Sequence, residues 1–196
     1  MARKVVIFGG SFNPPCSHHQ AITRILLGRF DEVIIVPCGA RKDKSSVNIV
    51  EPRHRAAMAL LAFGNLPNVL VDLFDLQNNS FTPTLFLQER YQKLFPGTEI
   101  WHAVGGDIIS GGKEGKSEIH RVWHEGEKIW KSLQYAVIKR PDCIFIEEDM
   151  PPYAEFIDGM AGSSTIVREY IHSGLSTDGL VDPKVKVYIE QEKLYK

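Results

Sequence analysis

The chain lacks what a membrane, secreted or nucleic-acid-binding protein would carry. No apolar run approaches the roughly 20 residues of a membrane-spanning helix. The apolar stretch behind Arg3 and Lys4 is only about five residues long, so no signal peptide is expected. Cysteine is scarce: Cys16, Cys38 and Cys143 form no close pair and no Cys-x-x-Cys. Their odd number suggests reduced thiols in a cytoplasmic protein. Charge is balanced, with 23 Lys and Arg against 24 Asp and Glu. A general nucleic-acid binder usually shows a basic excess or stripe, and neither is here. The Gly-x-Gly-x-x-Gly fingerprint of dinucleotide-binding folds is missing, and no Gly-Lys-Ser/Thr marks a Walker A loop. Internal repeats and low-complexity tails are also lacking.

What is present suits one well-buried α/β domain over 1–196 and is too short for two large ones. Strand and helix patterns alternate, which argues for a parallel sheet with crossover helices. The predicted strands are Lys4–Phe8, Glu32–Pro37, Asn68–Val71, Glu99–Val104 and Tyr135–Lys139. The predicted helices are His18–Arg29, Pro52 to about Gly64, Phe81–Phe95 starting near Pro83, Ser163–His172 and Pro183–Leu194. Ala56, Ala57, Leu60 and Leu61 are the expected apolar face of the second. Gly105–Trp130 reads as irregular and then helical, with Gly111–Glu118 a mobile surface insertion. Asp142–Asp158 reads as loop with one short strand.

The richest stretch is the first. Lys4–Phe8 ends in Gly9 and Gly10, which let the backbone turn tightly and bring a ligand close to main-chain N–H groups. Pro14 and Pro15 stiffen the loop. Ser17-His18-His19 then opens a helix, whose N-terminus attracts anions, phosphate above all. This is the pattern of a nucleotide or phosphate site; an ordinary strand-to-helix turn with solvent-facing histidines would use the same residues. Three further segments converge with it. One is the Val36-Pro37 turn, with Lys42 and Lys44 in the loop behind it. Another is Gly105-Gly106-Asp107, a tight turn presenting a carboxylate that could accept ribose hydroxyls. The last is Ser163-Ser164-Thr165 with Arg168, where hydroxyls cap a helix and an arginine follows in its first turns. Backbone N–H groups, hydroxyls and an arginine together make a polyphosphate cradle.

Blander roles compete. His19 could be only a helix-start residue, Asp107 a helix cap, and Lys42 and Lys44 solvated. Trp123 and Trp130 could both be core. Cys16 reads as a small space-filler and not a nucleophile, because no base or cation beside it is evident. His18 is expected to be solvated or packing. His120 and His124 have the i, i+4 spacing of a zinc pair, but no protease pattern surrounds them and both are expected at the surface.

Taken together, these residues resemble the nucleotidylyltransferase superfamily, and within it the nicotinate/nicotinamide mononucleotide adenylyltransferases. The resemblance covers nearly the whole chain, in order. Gly9-Gly-Ser-Phe-Asn-Pro14 looks like the family's Gly-[ST]-Phe-[DN]-Pro opening, and Lys44 falls at its loop lysine. Arg55-x-x-Met58 matches a helix signature, and Ser80-Phe81-Thr82 a Ser-Tyr-Thr element one residue short. Gly105-Gly-Asp107, Trp123, Arg140-Pro141 and Ser163-Ser-Thr-x-Val-Arg168 follow at the family's spacing. The family's His-x-Gly-His is altered: Cys16 stands at its first histidine, His18 at its glycine, and His19 keeps the second.

The resemblance implies a Rossmann-like open sheet with helices on both faces, of the nucleotidylyltransferase type. It implies attack of a pyridine mononucleotide on the α-phosphorus of ATP, with pyrophosphate leaving. His19, Arg168 and Lys44 are then catalytic, acting on the ATP phosphates. Gly9, Gly10, Ser11, Phe12, Cys16, Gly105, Asp107, Ser163 and Ser164 line the nucleotide. Thr82, Trp123 and Arg140 meet the mononucleotide, Trp123 by stacking on its ring. Mg²⁺ is expected to ride on ATP oxygens, with no metal cage built by the protein. The expected partners are small molecules, with no nucleic acid and no membrane; whether the chain forms a homo-oligomer is left open by the sequence. Nicotinamide mononucleotide or phosphopantetheine as acceptor, or a non-catalytic nucleotide-binding role, are the alternatives.

Overall fold

The computed structural model describes residues 2–41, 49–141 and 145–196. Six strands form one sheet: β1 (Lys4–Gly10), β2 (Glu32–Pro37), β3 (Val69–Val71), β4 (Glu99–Gly105), β5 (Gln134–Lys139) and β6 (Ala154–Asp158). Their order is β3-β2-β1-β4-β5-β6, and every neighbouring pair is parallel. This is the strand order of the doubly wound, Rossmann-like sheet, with its topological switch between β1 and β4. The connecting helices are α1 (Ser17–Leu27), α2 (Pro52–Phe63), α3 (Phe74–Gln77), α4 (Thr84–Leu94), α5 (Gly106–Ile109), α6 (Glu118–Val122), α7 (Gly126–Ser132), α8 (Ser164–His172) and α9 (Pro183–Gln191).

Side chains alternate across a strand, so each apolar run feeds two layers. Val6 and Phe8 of β1 meet Ile22 and Leu26 of α1, Met58 and Phe63 of α2, Val167 of α8 and Val185 of α9. Val5 and Ile7 point the other way, against Tyr91 of α4. That second layer continues where Val104, Tyr135 and Val137 lie beneath Ile109, Ile119 and Ile129 of α5, α6 and α7. Strands covered on both faces read as unbroken Val/Ile runs, which is why the sequence located them well. Truncating a side chain as buried as Phe63 to Ala would cost about 3–5 kcal/mol.

Four expectations need correction. The buried face of α2 is Arg55, Met58, Ala59, Ala62 and Phe63. Leu60 is 46% exposed, and Ala56, Ala57 and Leu61 are half-buried. The helix is apolar on several sides, so periodicity picks no single stripe; the choice is made by Arg55, which turns inward to the opening loop. The single turn α3 lies between the predicted strand at Asn68–Val71 and the predicted helix at Phe81–Phe95, where no element is predicted, because one turn is too short for any period to show. Gly111–Glu118 is anchored: Asp149 accepts the N–H groups of Gly111 at 2.9 Å and Lys113 at 3.0 Å. Gly112 fits beneath Trp130, where a Cβ would come within 2.4 Å of the ring. His120 is packed inward, its side chain 7% exposed, with Ser117 Oγ at 2.7 Å and the Trp130 ring at 4.4 Å. His124 does lie at the surface, stacked on Phe86. Among the described residues no helix is long and apolar enough to cross a membrane.

Candidate active site

The pairing of β1 with β4 stops at Phe8 and Ala103, whereas its pairing with β2 runs on to Gly10 and Pro37. Beyond that point the two central strands are unpaired, and the crevice typical of the switch point opens there. Gly9 and Gly10 lie at one rim, Gly105 and Gly106 at the other. Phe12 turns inward with φ of 44°. Its ring sits edge-on to Phe8, His19 and Phe63 at 5.1–5.6 Å between centroids. The loop therefore offers backbone, and not the Phe12 side chain, to a ligand.

Distant side chains hold the loop's carbonyls. Arg55 Nη1 donates to Ser11 O at 3.2 Å and to Cys38 O at 2.5 Å. Arg168 Nη1 donates to Asn13 O at 2.7 Å, and its Nη2 to Thr165 Oγ1 at 2.9 Å. Ser164 Oγ and Cys16 Sγ both donate to Pro14 O, at 2.9 and 3.3 Å. Ser163 caps α8, accepting the Thr165 N–H at 3.2 Å. Thus α8 is docked on the opening loop, and His19, Cys16, Ser164 and Arg168 come together as the sequence anticipated.

His19 is defined by its surroundings. Cys16 N–H donates to its Nδ1 at 2.9 Å, so the proton of the neutral ring sits on Nε2. Burial drives its pKa well below the usual value, and the neighbouring His18 and Arg140 push the same way. The His18 ring lies 3.9 Å from it, and Gly162 packs so closely that a Cβ there would come within 2.3 Å of His18 Nδ1. Cys16 is 2% exposed, and burial raises its thiol to about 11, against smaller lowering effects of Ser164 and Arg168. It is a protonated filler, as expected. The donor atoms of Cys16, His18 and His19 lie within 4.8 Å of one another. They suit a metal poorly: ligation through His19 Nε2 would move the ring proton to Nδ1 and break the hydrogen bond from Cys16 N–H.

Asp107, in the first turn of α5, lies 3.5 Å from Arg140, and its side chain is 54% exposed. This joins Arg140 to the Gly105–Gly106 rim of the crevice. Lys42 and Lys44 lie outside the described residues. Thr82 reaches the loop only indirectly: Cys38 N–H donates to Gly10 O and Gly39 N–H to Ser80 O. Asp75 then accepts the Thr82 N–H at 2.9 Å and its hydroxyl at 2.5 Å. A Cβ on Gly39 would sit 2.1 Å from Ser80 O, so only glycine lets these segments touch. Trp123 packs with the α5–α7 cluster, its Nε1 donating to Glu118 at 3.3 Å. No contact joins it to His19 or Arg168 among the described residues. Arg55 and Asp75 carried no site role in the sequence reading. A buried arginine and a buried aspartate look like surface charges until partners distant in sequence are known.

A doubly wound sheet whose first strand ends in a glycine loop, tied to a histidine and an arginine from two helices, belongs to the nucleotide-binding α/β proteins. Among these, the chain belongs to the cytidylyltransferase-like family, whose model matches residues 7–170. It is 26% identical over 195 residues to the nicotinate-nucleotide adenylyltransferase of Bacillus subtilis (strain 168), covering 98% of each chain. The Plasmodium falciparum nicotinic acid mononucleotide adenylyltransferase complexed with NaAD shares its fold, with a TM-score of 0.78 at 24% identity over 98% of this chain and 97% of that one. The complex with APC gives a TM-score of 0.73 at 22% identity, over the same shares.

Proposed function

We propose that this chain is a nicotinate-nucleotide adenylyltransferase acting in NAD biosynthesis. It joins ATP and nicotinate mononucleotide into deamido-NAD and pyrophosphate. The mononucleotide's 5′-phosphate oxygen bonds to the α-phosphorus of ATP. The bond from that phosphorus to the bridging oxygen breaks, and its electron pair leaves with pyrophosphate. The nucleophile is already an anion, so no general base is required. Positioning and charge neutralisation supply the rate.

The observation that carries this reading is the neutral, Nδ1-anchored His19 at the end of the opening loop that Arg168 braces at Asn13. His19 donates from Nε2 to phosphate oxygens as charge moves toward the leaving group. Arg168, with two of its N–H donors holding Thr165 and Asn13, turns its remaining donors to the β- and γ-phosphates, aided by Lys44. Gly9, Gly10, Ser11 and Phe12 give backbone contacts, and Ser163 and Ser164 close the polyphosphate side. Gly105 and Asp107 hold the adenosine ribose, with Cys16 filling space beneath the nucleotide. Thr82, Trp123 and Arg140 orient the pyridine mononucleotide.

Mg²⁺ takes hard oxygen ligands, and the thiol-imidazole group at the loop does not fit it. The ion would enter as MgATP, held by the nucleotide's own oxygens, and would screen the phosphate charge. The unit is a single domain over 1–196 that works in the cytoplasm and binds small molecules in preference to nucleic acid.

Pyrophosphate release from MgATP tests this, with nicotinate mononucleotide, nicotinamide mononucleotide and phosphopantetheine compared. Turnover with the nicotinate acceptor, lost in His19→Ala, is expected. A second reading, a non-catalytic nucleotide binder, rests on Cys16 at the motif's first histidine. It gains if ATP binds and none of the acceptors reacts.

A further inference from the structure

The side chain of Asn13, inside the opening loop, is met from far along the chain. Tyr195 Oη donates to Asn13 Oδ1 at 2.5 Å. Asn13 is 1% exposed, and its own carbonyl is the acceptor for Arg168. Leu194 and Tyr195 pack against the larger core cluster, with Tyr195 Oη 4.0 Å from Met58 Sδ. Lys193 and Tyr195 have φ of 52° and 64°. Leu194 N–H donates to Ile189 O at 3.0 Å, so the chain leaves α9 through a left-handed cap at Lys193. Tyr195 then reaches Asn13.

We propose that Tyr195 is a positioning residue: its hydroxyl fixes Asn13, whose carbonyl in turn fixes the Arg168 guanidinium toward the nucleotide's phosphates. Removing the hydroxyl takes away the donor at Asn13 Oδ1 and loosens the carbonyl that aims the arginine. Arg55, from α2, holds the same loop at the Ser11 carbonyl. Burial pushes the phenol's pKa above its ordinary range, so it remains a donor throughout the neutral range. The effect on turnover rests on the adenylyltransferase reading above.

The test is a double-mutant cycle in the full chain, assayed by pyrophosphate release from MgATP and nicotinate mononucleotide. Tyr195→Phe keeps the ring and loses the hydroxyl. It is expected to lower kcat about three- to tenfold, the worth of one neutral hydrogen bond, with the mononucleotide KM within about twofold. In an Asn13→Ala background the same change is expected to cost less than about twofold, because the partner is gone. A wild-type kcat in Tyr195→Phe, or an equal loss in both backgrounds, overturns the inference. If Tyr195→Phe does not fold, Asn13→Leu reads the same bond from its other end, and a wild-type kcat there overturns it. If the wild-type chain turns over no acceptor, the functional reading fails instead. ATP affinity by calorimetry then carries the cycle, with the same non-additive pattern expected.

Discussion

The backbone N–H of Cys16 donates a 2.9 Å hydrogen bond to Nδ1 of His19, and this bond decides which nitrogen keeps the proton. The family motif places a histidine where Cys16 stands. The function that persists here belongs to the backbone of that position, which any side chain supplies. What the cysteine adds is a small, protonated group that fits a site 2% exposed.

His19→Ala removes the Nε2–H donor without replacing it. The kcat for pyrophosphate release should fall about 10²–10³-fold, the range seen when a preorganised donor to developing charge is lost. Burial holds the imidazole neutral well below its ordinary pKa, so wild-type kcat should show no fall from His19 protonation between about pH 8 and pH 6. A steep fall centred near pH 6.5 would contradict the neutral donor.

Cys16 should resist iodoacetamide at pH 8 in the native protein, since its thiol is buried and raised to about 11. Mass spectrometry after a timed exposure checks this. Cys16→His should not improve the enzyme: a ring forced into that space costs about 1–3 kcal/mol by overpacking, read as a lower Tm. A large gain in kcat would mean that the lost motif histidine limits the rate.

Arg168→Lys keeps the charge and loses the fork that spans Asn13 O and Thr165 Oγ1. The KM for ATP should rise about tenfold or more, while the mononucleotide KM changes little. Equal KM values for ATP in the two proteins would remove Arg168 from the phosphate site.

Asp75→Ala leaves the Thr82 N–H and hydroxyl without their carboxylate. The loss should cost about 1–3 kcal/mol of stability and raise the mononucleotide KM with the ATP KM unchanged. Denaturant unfolding and steady-state kinetics separate the two effects.

Buried His102, hydrogen-bonded to Gln88 at 2.9 Å, has its pKa lowered to about 3 by burial. A lowered pKa means that the unfolded chain binds the extra proton first. Stability from this residue is full above about pH 6.5 and drains as pH falls toward 3. His102→Gln should flatten the acid limb of the stability curve, measured by urea unfolding from pH 7 to 4.

The sequence was most legible where one side chain carries the signal locally. The glycines after β1 and β4, the Ser163 cap and the unbroken Val/Ile strands are of this kind, and the sheet follows from them. It was least legible at α2, where a helix apolar on several sides has no preferred face until the loop carbonyl at Ser11 selects Arg55. The same holds for Gly111–Glu118, whose glycines look mobile until Asp149 collects their N–H groups.

By itself, then, the sequence determined the order of the main strands and helices and the glycine turns that end β1 and β4, because these depend on backbone freedom and on periods of two and 3.6. Only the tertiary structure decided which nitrogen of His19 holds the proton, that Arg168 is braced on Asn13, and that Tyr195 reaches the opening loop. Those facts depend on hydrogen bonds between groups as far apart in the chain as Asn13 and Tyr195. A hydrogen bond needs its partner within about 3 Å, and no local pattern in sequence records that distance.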